Sequence, residues 1–143
     1  MICKTFDELS KQELYELLRA RQEVFIIEQD CNYLDLDRTD YSAYHIYDVD
    51  ESGSICCYAR IYEDQAESHI GRVLTPSSHR RKGHGIRLMQ EAIAQCKATY
   101  GTKDIVISAQ EYLLAFYGGF GFVVEGGRYF EDNLPHFKMR LQF

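Results

Sequence analysis

The sequence predicts one mixed α/β domain, residues 1–143, with a mixed sheet and elements in the order β-α-β-β-β-α-β-α-β-β. Three observations predict it. Apolar residues recur at helical intervals in two stretches, Leu14, Leu17, Leu18, Val24, Phe25 and Leu88, Met89, Ala92, Ile93, Cys96. Runs rich in Tyr, Ile, Val and Cys lie between and after them. Polar and glycine breaks punctuate the runs, and 143 residues with 45% hydrophobic content suit a single core.

In order, Ile2 to Phe6 opens as a strand. Ser10-Lys11-Gln12-Glu13 has the spacing of a capping box, so a helix starts there and runs toward Glu28. Asp30 to Asp40 is acidic and lacks periodicity, which predicts a solvated loop or short helical turns. Ala43 to Val49 and Ile55 to Tyr62 form a hairpin around Asp50-Glu51-Ser52-Gly53. Ser68 to Thr75 is the next strand. A helix follows from Gly85, and Gly101 is placed to stop it. Asp104 to Ser108 is a strand, Gln110 to Tyr117 a short helix ended by Gly118-Gly119, and Phe120 to Val124 and Phe137 to Leu141 are two last strands with turn residues from Glu125 to Pro135 between them.

A net charge of -6 and a pI near 5.3 argue against a general nucleic-acid binder and favour cationic molecules such as amines. Five cysteines without C-x-x-C spacing, in a chain with no apolar signal segment or membrane span, fit reduced thiols in a cytoplasm. No metal is expected. Cys56 and Cys57 are adjacent on a strand and point to opposite faces, and Asp35-x-Asp37-x-x-Asp40 fails the calcium-loop spacing.

The chemistry-bearing segment is Thr75 to Arg87. It joins a strand to a helix through three consecutive basic residues, Arg80-Arg81-Lys82, and two glycines, Gly83 and Gly85. The first amides of a helix lack partners within it and sit at its positive end, so they suit phosphate oxygens. Glycines let backbone approach the anion, and Arg80, Arg81, Lys82 and Arg87 add charge. Neither a P-loop nor a dinucleotide fingerprint is present.

Arg80, Gly83 and Gly85 fill the pattern [QR]-x-x-G-x-[GA], which resembles the coenzyme A signature of the GNAT superfamily. Gln110 to Phe122, with Tyr117 in register, is similar to the helix and strand that follow in that superfamily, Gln110 replacing the usual asparagine. More narrowly, Val24 to Gln29, Cys31 to Asp35, Ala59 to Ile61, Ile70 to Val73 and Glu131 to His136 resemble the ElaA-like branch. The resemblance implies the GNAT acyl-CoA N-acyltransferase fold and transfer of acetyl from acetyl-CoA to a primary amine, on a small molecule or a peptide, within a ternary complex. It further implies that coenzyme contacts come from Val73, Leu74, Thr75, the run Arg80 to Arg87 (His84 and Ile86 included), Gln110, Phe116 and Tyr117, and that a homodimer can form. The alternative is an acyl-CoA-binding sensor or partner module without activity.

By the same resemblance Tyr117 is the general acid that protonates the leaving thiolate. The base stays open among His69, Glu28 and Glu111. Arg60 and Arg72 fall on central strands and need carboxylates, either the substrate's or an internal partner among Glu28, Asp35 and Glu131. His45 and His136, with Glu28, are placed along the acceptor cleft or as hydrogen-bonded structural groups. Asp35 and Asp37 are expected to draw an ammonium toward the site.

Overall fold

A computed structural model describes all 143 residues. The strands are β1 (Ile2–Thr5), β2 (Tyr44–Val49), β3 (Ile55–Glu63), β4 (Ser68–Leu74), β5 (Ile105–Gln110), β6 (Val123–Glu131) and β7 (Leu134–Leu141); the helices are α1 (Lys11–Arg21), α2 (His84–Tyr100) and α3 (Leu114–Gly118). The expected element order is the one found. All seven strands join one sheet in the order β1-β2-β3-β4-β5-β7-β6, antiparallel throughout except where β4 meets β5.

Alternation along the strands assigns the helices to opposite faces. Cys57 and Ala59 pack with Leu88, Met89, Ala92 and Cys96 of α2, whereas Tyr58 between them packs with Leu17 and Ala20 of α1. The capping box forms: Ser10 Oγ accepts from the Glu13 amide at 3.0 Å and Glu13 accepts from the Ser10 amide at 2.8 Å. Glu13 also accepts from Lys4 Nζ at 2.7 Å and Tyr47 Oη at 2.6 Å, and these partners, Lys4 foremost, pull its carboxyl down to about 2. One cap residue thus ties α1 to β1 and β2. Beyond Arg21 the helix continues to Glu28 as expected but widens into π-helix over Gln22–Glu28, which keeps Val24 and Phe25 buried.

Two expectations need correction. The segment Glu125 to Pro135 is mostly strand: β6 and β7 meet through the two residues Asp132 and Asn133, both at positive φ (51° and 65°), as a twisted hairpin turn requires. The glycines 126 and 127 sit at a register shift in β6 instead of ending it. Likewise the acidic stretch is loop ending in a short helical turn at Thr39–Tyr41, as expected, but it is not solvated. Arg21 donates to Asp35 (2.9 Å) and Asp40 (2.7 Å), Arg60 to Asp37 (2.6 Å) and Asp40 (3.0 Å), and Arg72 to Asp35 (2.7 Å). Arg21 and Arg60 are only 1% and 2% exposed. Three arginines and three aspartates therefore clamp residues 35–40 against the α1 face of the sheet. Burial alone would raise the carboxyls of Asp37 and Asp40, but the arginines outweigh it and hold both below the usual range.

No helix is long and apolar enough to cross a membrane.

Breaking this clamp is expected to be costly. Asp40→Asn leaves two buried guanidiniums short of counter-charge, and urea unfolding at neutral pH should show a loss of about 3 kcal/mol. The folded protein binds fewer protons at Asp37 and Asp40 than the unfolded chain. Their stabilisation is therefore complete above the unfolded value of about 3.9 and is lost as pH falls through the lower folded values. Stability of Asp40→Asn should accordingly decline less steeply below that pH than the wild type does; parallel declines would contradict the pairing.

Candidate active site

The site begins with a defect in the sheet. β4 and β5 pair only at Ser68↔Ile105 and His69↔Val106, and no ladder joins them from Ile70 onward. On its other side β4 follows β3 with a register shift, where Arg72 adopts a left-handed φ of 53°. The two strands thus part toward their C-terminal ends, as in open sheets where ligands enter beyond such ends. α2 starts beyond β4 and α3 beyond β5, so both helices flank the opening.

Two cavities occupy the wedge. The larger, about 700 Å³, runs from Val73, Leu74 and Thr75 past Phe116 and Tyr117 to the loop containing Arg80, Arg81, Gly83, His84, Gly85 and Ile86. The smaller, about 350 Å³, lies toward the other side and is walled by Tyr33, Asp37, Arg72, Ser108, Glu131 and His136. Both share Phe25, Gln29, Val73, Gln110, Leu113 and Tyr117. A molecule in one cavity can therefore meet a molecule in the other at Val73 and Tyr117.

The start of α2 is built to face an anion. Gly83 holds the N-cap with φ 80°, Arg81 is left-handed at 64°, and no side chain caps the helix. Its first amides are left for another acceptor. Gly85 faces Phe116 and Thr75, and a Cβ there would meet Phe116 Cζ at 3.5 Å and Thr75 Oγ1 at 3.9 Å, ordinary contact distances. Arg80 spans the larger cavity: Nε donates to the Thr75 carbonyl at 2.9 Å and Nη2 to both oxygens of Glu28. Arg87 donates to His84 Nδ1 at 2.9 Å, and burial, then Arg87 and His79, lower the His84 pKa. That keeps His84 neutral and able to accept. Tyr117 is 6% exposed, and burial, with Tyr112 behind it, raises its phenol well above the ordinary value. A phenol so placed stays protonated at neutral pH.

Residues 5–143 match the family model for the acetyltransferase (GNAT) domain. A UPF0039 protein of Schizosaccharomyces pombe is 34% identical over 143 residues, covering 99% of this chain and 95% of the relative. The crystal structure of an acyl-CoA N-acyltransferase from Pseudomonas aeruginosa superposes with a TM-score of 0.91 at 34% identity over 97% of each chain. That of Escherichia coli ElaA gives 0.93 at 33% identity over 97% of this chain and 96% of ElaA.

The chain belongs to the GNAT acetyltransferase family.

Within this GNAT domain most of the expected coenzyme residues gather around the larger cavity; Lys82 and Arg87 stay outside its lining. Gln110 lines both cavities, with its amide donating to Gln29 Oε1 at 3.3 Å. Glu28 lines the larger cavity, whereas Arg72 and His136 line the smaller. Four candidate catalytic or cleft residues line neither cavity. His45 is sealed beneath the loop, Nδ1 at 2.7 Å from Tyr58 Oη and Nε2 at 3.0 Å from the Asp40 carbonyl; burial depresses its pKa, and its role is structural. Arg60 is consumed by Asp37 and Asp40, the internal pairing having come from partners other than those expected. His69, at the closed end of the wedge, pairs with Asp64 at 2.7 Å and stacks on Tyr62. Glu111 meets Arg128 at 3.5 Å and also lines neither cavity. Asp37 reaches the smaller cavity but Asp35 does not, and both carboxylates already hold arginines. Sequence reasoning gave no role to Ser108 or Tyr129, and cast Glu131 only as an ion-pair partner for Arg60 or Arg72, which pair with Asp37, Asp40 and Asp35 instead. Only Glu131 carried a signal, through its place in a resembling segment.

The Glu28–Arg80 pair is more than a third exposed on both sides, so stability does not explain it. A double-mutant cycle with Glu28→Gln and Arg80→Gln should give a coupling below about 1 kcal/mol in urea unfolding. A coupling of several kcal/mol would mark the pair as structural.

Proposed function

We propose that this protein transfers an acetyl group from acetyl-CoA to a primary amine by direct attack within a ternary complex. The observation that supports this reading is the meeting of two cavities at Tyr117 and Val73, with the uncapped start of α2 at the far end of the larger. A diphosphate at that helix start would take its free amides and the guanidiniums of Arg80 and Arg81. Arg80 must then exchange the Glu28 carboxylate for phosphate oxygens. The pantetheine arm would run along Val73 to Thr75, where the parted β4 has backbone to offer on the β5 side. The thioester would arrive at Tyr117, and the amine would reach it through the smaller cavity.

A thioester is already activated, so position and charge stabilisation carry most of the catalysis. The amine nitrogen forms a bond to the carbonyl carbon, and the resulting tetrahedral species collapses with cleavage of the C–S bond. Sulfur leaves with the electron pair and takes the Tyr117 hydroxyl proton; the phenolate recovers a proton from the acylated nitrogen. The products are an amide and the free thiol of coenzyme A. None of the five thiols joins this scheme: all are free, four are buried, and burial raises the pKa of each. A cytoplasmic location would keep these thiols reduced.

Calorimetry with coenzyme A should give saturable binding that weakens by about tenfold or more in Arg80→Ala, through the loss of a charge-assisted contact. Absence of heat and of thermal stabilisation at millimolar coenzyme would sink the assignment. Thiol release from acetyl-CoA across a panel of amines then separates an enzyme from a binding module. Tyr117→Phe should lower kcat by about 100-fold while coenzyme affinity holds; an unchanged kcat would remove Tyr117 from the chemistry.

A further inference from the structure

Resting on the acyltransfer reading, we infer that His136 is the base that takes the proton from the incoming ammonium, with Glu131 as its positioning partner. The ring is held by one hydrogen bond and one aromatic stack. Nδ1 lies 2.8 Å from the Leu134 carbonyl, which can only accept, so Nδ1 carries the hydrogen and Nε2 the lone pair of the neutral ring. Nε2 lies 3.4 Å from Glu131 Oε2. Tyr129, opposite His136 in the β6–β7 ladder, stacks on the imidazole with ring centroids 6.0 Å apart and planes 25° from parallel. Ser108 completes the group, bonded to the Tyr129 hydroxyl and donating to Glu131 Oε2 at 3.3 Å.

His136 is only 7% exposed, yet it lines the smaller cavity with Ser108 and Glu131. An ammonium there faces both a lone pair and a carboxylate. When Nε2 takes the proton, the N–H electron pair stays on the amine as its nucleophilic lone pair. The new imidazolium then lies between the Leu134 carbonyl and the Glu131 carboxylate, so unfavourable lone-pair contact becomes charge pairing. The imidazolium later yields this proton to solvent. No other base considered has this placement, because His69 and Glu111 line neither cavity and Glu28 holds Arg80 on the phosphate side.

The charged and titratable groups around the ring come from every neighbouring element. Glu131 and Tyr129 belong to β6, Asp132 to the turn, Arg72 to β4 and Tyr117 to α3. The loop after α1 adds Cys31, Tyr33 and Asp37. Arg72 is offset by Asp35, and Asp37 by Arg60, so Glu131 and Asp132 are the carboxylates of the cavity not held by an arginine.

The test uses the full chain. Nitrogen-15 histidine spectra of the unliganded protein should show His136 with hydrogen on Nδ1 in its neutral form. Thiol release is then followed with n-butylamine, charged at neutral pH, and with methoxyamine, already neutral there. His136→Gln should lose about 100-fold in kcat/KM with butylamine and little with methoxyamine, and the acid limb of the pH profile should vanish. Glu131→Gln, at an exposed position, should lower kcat/KM with butylamine by more than with methoxyamine, and coenzyme A should stabilise both variants as it does the wild type. A ring carrying its hydrogen on Nε2, or equal losses with both amines, overturns the inference alone. A wild type that binds coenzyme A but releases no thiol with any amine overturns the acyltransfer reading and this inference with it.

Discussion

The parting of β4 from β5 is the constraint from which the site follows. Two adjacent parallel strands would ordinarily share a ladder along their whole length, and here they share it at two positions. Everything beyond His69 on β4 is released from β5, and the gap is wide enough to hold two cavities that meet midway. The register shift beside β3, with Arg72 in a left-handed conformation, lets β4 bend away without leaving the sheet. Catalytic groups can then be few, because the fold itself presents one cavity to the other.

The wedge needs a stiff wall on the α1 side, and the Arg21, Arg60 and Arg72 clamp supplies it. A loop of residues 35–40 left to solvent would make the smaller cavity soft. Held by buried ion pairs it becomes part of the scaffold, and Asp37 reaches the cavity with its charge already used. Arg60 Nε is the sole sealed side-chain polar atom without a partner. The orphan lies next to Gly71 of the smaller cavity, where an added Cβ would come within 3.9 Å of it.

Much of the fold was legible in the sequence because its signals were local. The capping box at Ser10, the apolar faces of α1 and α2, and the basic glycine loop before α2 each sit within a few residues, and each appears where its spacing put it. Less legible features depend on partners distant along the chain. The β6–β7 turn uses Asp132-Asn133 where Asn-Gly would have announced it, so the flanking strand residues read as loop. The aspartates of the acidic stretch find their arginines 14 to 37 positions away. In sequence His45 and His136 carry the same two readings, acceptor cleft or structural hydrogen bonding. Packing alone separates them: one is locked against Tyr58 and Asp40, the other opens onto the smaller cavity.

Amide shift mapping with coenzyme A on the nitrogen-15-labelled chain goes to the root of this account. The largest changes should fall on two groups of backbone amides, residues 83–87 at the start of α2 and residues 73–75 at the end of β4. Saturating coenzyme that leaves both groups unmoved, or perturbs a different face of the sheet, would contradict it.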